Sequence, residues 1–299
     1  MQPIASESLQ AASPPPGLAA LLGRATLELP PGSDPERLAE AGFARGGDVY
    51  VAFLPGGEVA RSVATAAAVR RAGFRPVPHV AAREMRSRAA LDDYLARLAG
   101  EAGVSRVLVI GGDSSVAHGA FHTCLDLLES GLLSQRGVTH VDFAGYPEGS
   151  YYLTFEQGVD LLAVKLAAAR RLGLAPGIVT QFCMEADPIV AWLRAVAARD
   201  LAASIRIGLA GPATLPTLVK FALRCGVGNS LRALKPRIGH FGRLLNAVGP
   251  DAVVDGLGAA LSQAEVERID GLHFFAFGGA RRVSDWVAAR RCGSDYAGN

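Results

Sequence analysis

Short apolar runs alternate along the chain with longer stretches whose apolar residues recur every three to four positions. The runs cover residues 25–29, 48–53, 75–80, 106–111, 139–144, 177–182, 204–210 and 271–276. Each has the length of an ordinary strand, about 5–6 residues. Helical spacing is clearest over 61–72, 89–102, 158–172 and 186–199. In the last of these, Asp187-Pro188 suits an N-cap followed by proline in the first turn. Strands that are apolar almost throughout, separated by helices, form parallel sheets covered on both faces. Eight such units predict an α/β fold, a (β/α)8 TIM barrel, with an open doubly wound sheet as the competing arrangement. The span 214–261 holds about three helical stretches before the last strand, so one unit is enlarged. The reading is a single domain over 18–299, preceded by a flexible arm over 1–17 that contains Pro14, Pro15 and Pro16.

A barrel of this kind builds its active site at the carboxyl ends of its strands. The polar residues at those ends are Glu28, His79, Asp113, Tyr146, Glu148, Gln181, Glu185 and His273. Glu28 stands inside an apolar strand just before Pro30. Burial there is expected to raise its pKa and suit it to proton donation. Asp113 closes a Gly-Gly-Asp turn, where two glycines let a ring or a backbone approach closely. The Gln181 amide can donate to and accept from the edge of a heterocycle.

Composition removes several classes of function. Half the 299 residues are hydrophobic and the net charge is +2. Nothing argues for nucleic acid, and no apolar run is long enough to span a membrane. The charged fraction is only 19%, which leaves room for an apolar contact between copies in a homo-oligomer. Cys124, Cys183, Cys225 and Cys292 are widely spaced and read as buried small hydrophobes in a reducing, cytoplasmic compartment. His118 and His122 are four apart but lack the pattern of a metal motif, so no metal is expected. There is no Gly-x-Gly-x-x-Gly turn, no Walker loop and no Gly-x-Ser-x-Gly elbow. Lys165, Lys220 and Lys235 all lie away from strand ends, which disfavours Schiff-base chemistry.

Six segments, in order, resemble the motifs of the 5,10-methylenetetrahydrofolate reductase family. They are Thr26-Leu27-Glu28-Leu29-Pro30-Pro31, Pro78-His79-Val80-Ala81-Ala82-Arg83, Ile110-Gly111-Gly112-Asp113, Ala144-Gly145-Tyr146-Pro147-Glu148-Gly149-Ser150, Val179-Thr180-Gln181-Phe182 and Gly271-Leu272-His273-Phe274-Phe275. The similarity spans roughly residues 22 to 290. It implies a flavoprotein barrel in which NAD(P)H reduces FAD, and the flavin passes hydride to a tetrahydrofolate derivative, in the one-carbon metabolism that serves methionine synthesis. On this resemblance Glu28 is the acid that opens the imidazolidine ring, and Asp113 stabilises the resulting iminium cation. Gln181, Leu215 and Phe275 contact the folate. His79, Gly111, Gly112, Asp113, Tyr146, Ser150 and Lys165 contact FAD. The chain departs from the motifs at Gly111, where relatives carry Arg, at Ser150, where they carry His, and at the apolar stretch Ala52-Phe53-Leu54. The departures fall on flavin contacts, whereas Glu28, Asp113 and Gln181 survive. A flavin-free folate-binding protein, or a partner-dependent subunit of the same fold, is the alternative.

Overall fold

The computed structural model describes residues 16–38, 43–225, 227 and 247–292. Eight parallel strands close into a barrel: β1 Thr26–Leu29, β2 Asp48–Val51, β3 Arg75–Ala81, β4 Arg106–Ile110, β5 His140–Gly145, β6 Ala175–Thr180, β7 Ser204–Ala210 and β8 Gly271–Phe275. Each pairs with its sequence neighbours, and β8 closes on β1 through Thr26 opposite His273 and Glu28 opposite Phe275. The eight apolar runs are these strands, shifted by two residues or fewer at either end. The open doubly wound sheet is excluded by the closure of β1 on β8.

The helices form where their ends are specified. Ser87 caps Arg88–Ala102 through its side chain, and Gly103 ends that helix in the left-handed region at φ 61°. Thr154 and Gln157 make a reciprocal capping box at the start of Phe155–Arg171. The helix after β6 runs Ala186–Ala198, with Glu185 at its N-cap. Asp187 therefore lies inside the first turn, not at the cap, because the helix begins two residues before the Asp-Pro pair requires. After β7 come Leu215–Cys225 and Asp251–Ala260, tied by a two-stranded antiparallel ribbon, Ala213–Thr214 with Ala247–Val248. The rest of that enlarged unit lies outside the described residues, as does residues 1–15 of the expected arm; Pro16 and Gly17 already belong to the helix Pro16–Gly23.

Core and barrel interior separate cleanly. The large cluster between strands and helices includes the fully buried Trp192 and Trp286. Inside the barrel, Tyr50, Val77, Leu108 and Val179 form a plug. Beneath it, at the amino ends of the strands, lies a charge network. Arg106 grips the fully buried Asp142 with two hydrogen bonds of 2.8 and 2.7 Å. Arg75 and Arg206 hold Asp48 at 2.8 and 2.9 Å. Tyr50 donates to Asp142 at 2.8 Å. Gly177 makes room for this network, because a Cβ there would collide with the Asp142 carboxylate. The plug and the network close the amino end and leave the carboxyl end as the open mouth.

Candidate active site

At the mouth Glu28 lies between two imidazoles. Its Oε2 is 3.1 Å from His79 Nε2 and 3.6 Å from His273 Nε2, and the carboxyl is only 17% exposed. Both nitrogens are buried and lie within ion-pair reach of that carboxylate. Burial pushes the Glu28 carboxyl up, but the charge of His79 and bonding from the two imidazoles outweigh it and hold the group well below the usual carboxylate range. The expected rise by burial is thus corrected, since β3 and β8 each bring an imidazole partner to the carboxyl. Burial also lowers His273, against the pull of Glu28.

Asp113 lies on the long β4 loop, 3.2 Å from Arg224 Nη2. Gln181 follows β6, its backbone N–H donating to Gly145 at 2.8 Å. The helix Leu215–Cys225 brings these residues together. Its last residue, Cys225, bonds Gln181 and lies in electrostatic reach of Asp113 and Glu28. Burial, seconded by the two carboxylates, pushes the Cys225 thiol up to about 11, so it is a neutral thiol near pH 7. Leu215 is buried in the apolar wall on this side of the mouth, with Phe182 and Phe275. Phe277 stacks on Phe221 at 4.1 Å and lies 5.7 Å from Phe275. The folate-assigned residues Gln181, Leu215 and Phe275 therefore share one side of one opening.

The flavin-assigned residues do not assemble in the same way. His79 is turned to Glu28. Gly111 has no side chain, and a Cβ there would already meet the Arg83 guanidinium at 3.2 Å. That guanidinium is itself held by the carbonyls of Gly112 and His122. Ser150 accepts from the Tyr152 N–H at 3.3 Å. Tyr146 is half-buried, its phenol pushed up to about 12 mainly by burial. Lys165 is buried at the eleventh position of Phe155–Arg171, about 15 Å along the helix from its start at 1.5 Å per residue. Gly112 keeps the turn its sequence implies, at φ 94°. Lys165 is the one cation among these assigned positions, and it is buried well along its helix, so the set offers no cluster of charge that fits the diphosphate of FAD.

The remaining strand-end residues have local roles. Glu148 bonds the Cys183 thiol, which burial drives well above its ordinary value. Glu84 is buried and ties three loops together, accepting from Gly56 N–H at 3.1 Å and from the Ser114 hydroxyl, with His118 3.6 Å away. Arg224, Cys225 and Phe277 escaped the strand-end reading. Only the folding of Leu215–Cys225 back over the mouth makes Arg224 and Cys225 part of it, and no local pattern announces that, whereas Phe277 lies two residues beyond β8.

No family model matches the chain. Among solved structures it is similar to tryptophan synthase from M. tuberculosis, in an open form with BRD0059 bound. The identity is 18%, the match covers 82% of this chain and 96% of that one, and the TM-score is 0.43. No helix among the described residues is long and apolar enough to cross a membrane.

Proposed function

We propose that the protein is a folate one-carbon oxidoreductase of the 5,10-methylenetetrahydrofolate reductase type, interconverting 5,10-methylenetetrahydrofolate and 5-methyltetrahydrofolate. The observation that carries the reading is the grouping of the residues assigned to folate by motif: Gln181 and Phe275 both adjoin Gly208, Glu28 is the register partner of Phe275, and Asp113 pairs with Arg224 of the helix that begins at Leu215. An apolar wall of Leu215 and Phe275 beside them suits a flat pterin.

In this reading Glu28, in its protonated form, gives its proton to N10 of the folate. The bond from N10 to the methylene carbon breaks, its electron pair stays on N10, and an N5 iminium cation forms. The Asp113 carboxylate stabilises that cation. Hydride supplied ultimately by NAD(P)H then reaches the methylene carbon and leaves the methyl product. One hydride and one proton are consumed, and the nicotinamide is oxidised. Gln181 orients the pterin through its amide. FAD is the carrier the resemblance implies. Since the residues present do not fit its diphosphate, a flavin-free folate-binding protein or partner-dependent subunit of the same fold is the second reading. Both readings place the protein in the cytoplasm with a small-molecule partner, alone or as a homo-oligomer.

The deciding experiment incubates the purified protein with 5,10-methylenetetrahydrofolate and NADH or NADPH, with and without added FAD. Nicotinamide oxidation is followed by absorbance and methyl-folate by mass. Methyl-folate formed in step with nicotinamide oxidation supports the reductase. Binding of methyl-folate with no turnover under either condition selects the binding protein. Neither binding nor turnover removes folate from the reading.

A further inference from the structure

Residues 111–123 run from the end of β4 to the helix Cys124–Glu129 with no strand or helix among them. Asp113 lies on this run. Its carboxylate is 62% exposed and pairs with Arg224, itself 45% exposed. An exposed pair of this kind adds little order. A loop this long keeps one shape where something else holds it. The holder is the turn Ala82–Glu84, directly after β3. Arg83 N–H donates to the Gly111 carbonyl at 2.9 Å, and His118 N–H donates to the Arg83 carbonyl at 2.8 Å. The Arg83 guanidinium donates to the carbonyls of Gly112 and His122. Glu84, its side chain 4% exposed, accepts from the Ser114 hydroxyl and from Gly56 N–H, with His118 Nδ1 3.6 Å away. Gly119 lets the run close onto the same segment, since a Cβ there would lie 2.3 Å from the Arg86 carbonyl.

These anchors flank Asp113 in the sequence. Gly111 and Gly112 are held before it, and Ser114, His118 and His122 after it. We infer that Arg83 and Glu84 are positioning residues for Asp113, which fix the β4 loop on both sides of it and so set where its carboxylate stands at the mouth. The inference rests on the reading of Asp113 as the group that stabilises the iminium cation, and adds to it the residues that place that group. The chemistry of the pair suits the task. A buried carboxylate needs its charge met by donors, and Glu84 takes them from two loops, those after β2 and β4. An apolar side chain would fill the same space but accept nothing at a fixed point. The planar guanidinium of Arg83 spans two carbonyls with one rigid fork. Charge stabilisation is sensitive to placement, and a shift of about 1 Å can cost about 10²-fold in rate.

Ser114→Ala removes one anchor and leaves Arg83, Glu84 and Asp113 in the chain. The cation exists only after the ring opens, so slackening Asp113 should lower kcat for methylenetetrahydrofolate roughly tenfold and leave KM unchanged. Ser114→Thr, which keeps the hydroxyl, should restore turnover. In an Asp113→Asn background the loss on Ser114→Ala should vanish, because no carboxylate is left to place. Arg83→Lys keeps the charge but not the fork, and should behave like Ser114→Ala. Losses that multiply in the double variant overturn the inference, as does a Ser114→Ala protein that matches the parent or changes in KM alone. Amide exchange gives a readout without substrate. Ser114→Ala should speed it over residues 111–119, and unchanged exchange there overturns the inference whatever the turnover. If the wild type turns over no folate, the functional reading has failed, and exchange alone then decides whether Arg83 and Glu84 hold Asp113.

Discussion

Glu28 is an acid candidate held in its anionic form by its neighbours, and this tension sets the first expectations at the scale of single residues. Glu28→Gln keeps the shape and hydrogen-bonding capacity of the side chain but removes the proton. Methyl-folate affinity should persist while folate turnover falls by about 10²–10⁴, the usual contribution of a positioned acid. Parent-like turnover by the variant would show that the proton comes from elsewhere. His273 carries a second expectation, about stability. Its folded pKa is depressed by burial, while an unfolded histidine takes its proton near pH 6.5. Below that pH the unfolded chain binds more protons, so stability falls as pH drops from about 6.5 toward the folded value. Glu28 acts in the same direction at lower pH, because its folded value lies below that of an unfolded carboxyl, near 4.3. Melting temperature measured between pH 7.5 and 5 should decline, and His273→Gln should flatten that decline. An unchanged slope would mean that His273 is charged in the fold.

At the scale of elements, the helix Leu215–Cys225 decides how closed the mouth is. Two kinds of contact hold it. One is the stack of Phe221 on Phe277. The other is polar: Arg224 to Asp113 at 3.2 Å, and the Tyr151 hydroxyl donating to the Leu223 carbonyl at 2.6 Å. The Arg224 pair is largely exposed and should stabilise the fold by less than about 1 kcal/mol. Arg224→Ala is therefore expected to leave the melting temperature within about 2 °C, yet to speed amide exchange over residues 215–225. Raised salt should do the same to the wild type, because it screens an exposed pair. Exchange unchanged in both would mean that the ion pair adds nothing and that the apolar packing and the Tyr151 hydrogen bond hold the helix. Legibility differs between elements for related reasons. The strands were readable because burial on both faces leaves near-continuous apolar runs, and Glu28 and Gln181 were readable because strand ends in a barrel point at one opening, whereas His79 and His273 lie within their strands and reach Glu28 from there. Arg224 and Cys225 were not readable, since they reach the site by tertiary folding of a helix with no unusual pattern. The Glu28 environment was misread for a similar reason. Burial is legible from an apolar strand, but its two imidazoles come from strands far away in sequence. Asp187 was misplaced because the backbone, not a side chain, supplies the start of its helix.

Across the whole molecule, the barrel divides its polar residues between two ends with different work. The amino end holds Arg106, Asp142, Asp48, Arg75 and Arg206 in a closed network, and the carboxyl end holds the candidate chemistry. Tyr50 links them, with its hydroxyl on Asp142 and its ring edge on His273. A buried ion network contributes little over a well-packed apolar substitute, but removing one partner strands the others. Asp142→Asn would leave Arg106 facing a neutral amide inside the barrel and take the charge from the Tyr50 acceptor. The expected cost is about 3–5 kcal/mol. At roughly 2 °C per kcal/mol for a chain of this size, the melting temperature should fall on the order of 10 °C. The decisive comparison is with Glu28→Gln. If the ends are separable, Asp142→Asn lowers melting temperature while the folded protein keeps its methyl-folate affinity, and Glu28→Gln does the reverse to turnover with little change in melting. A loss of methyl-folate affinity in Asp142→Asn at temperatures where it is fully folded would mean that Tyr50 transmits the state of the network to His273. The two ends would then act as one device, and Tyr50→Phe, which keeps the ring and frees Asp142, should reproduce the loss.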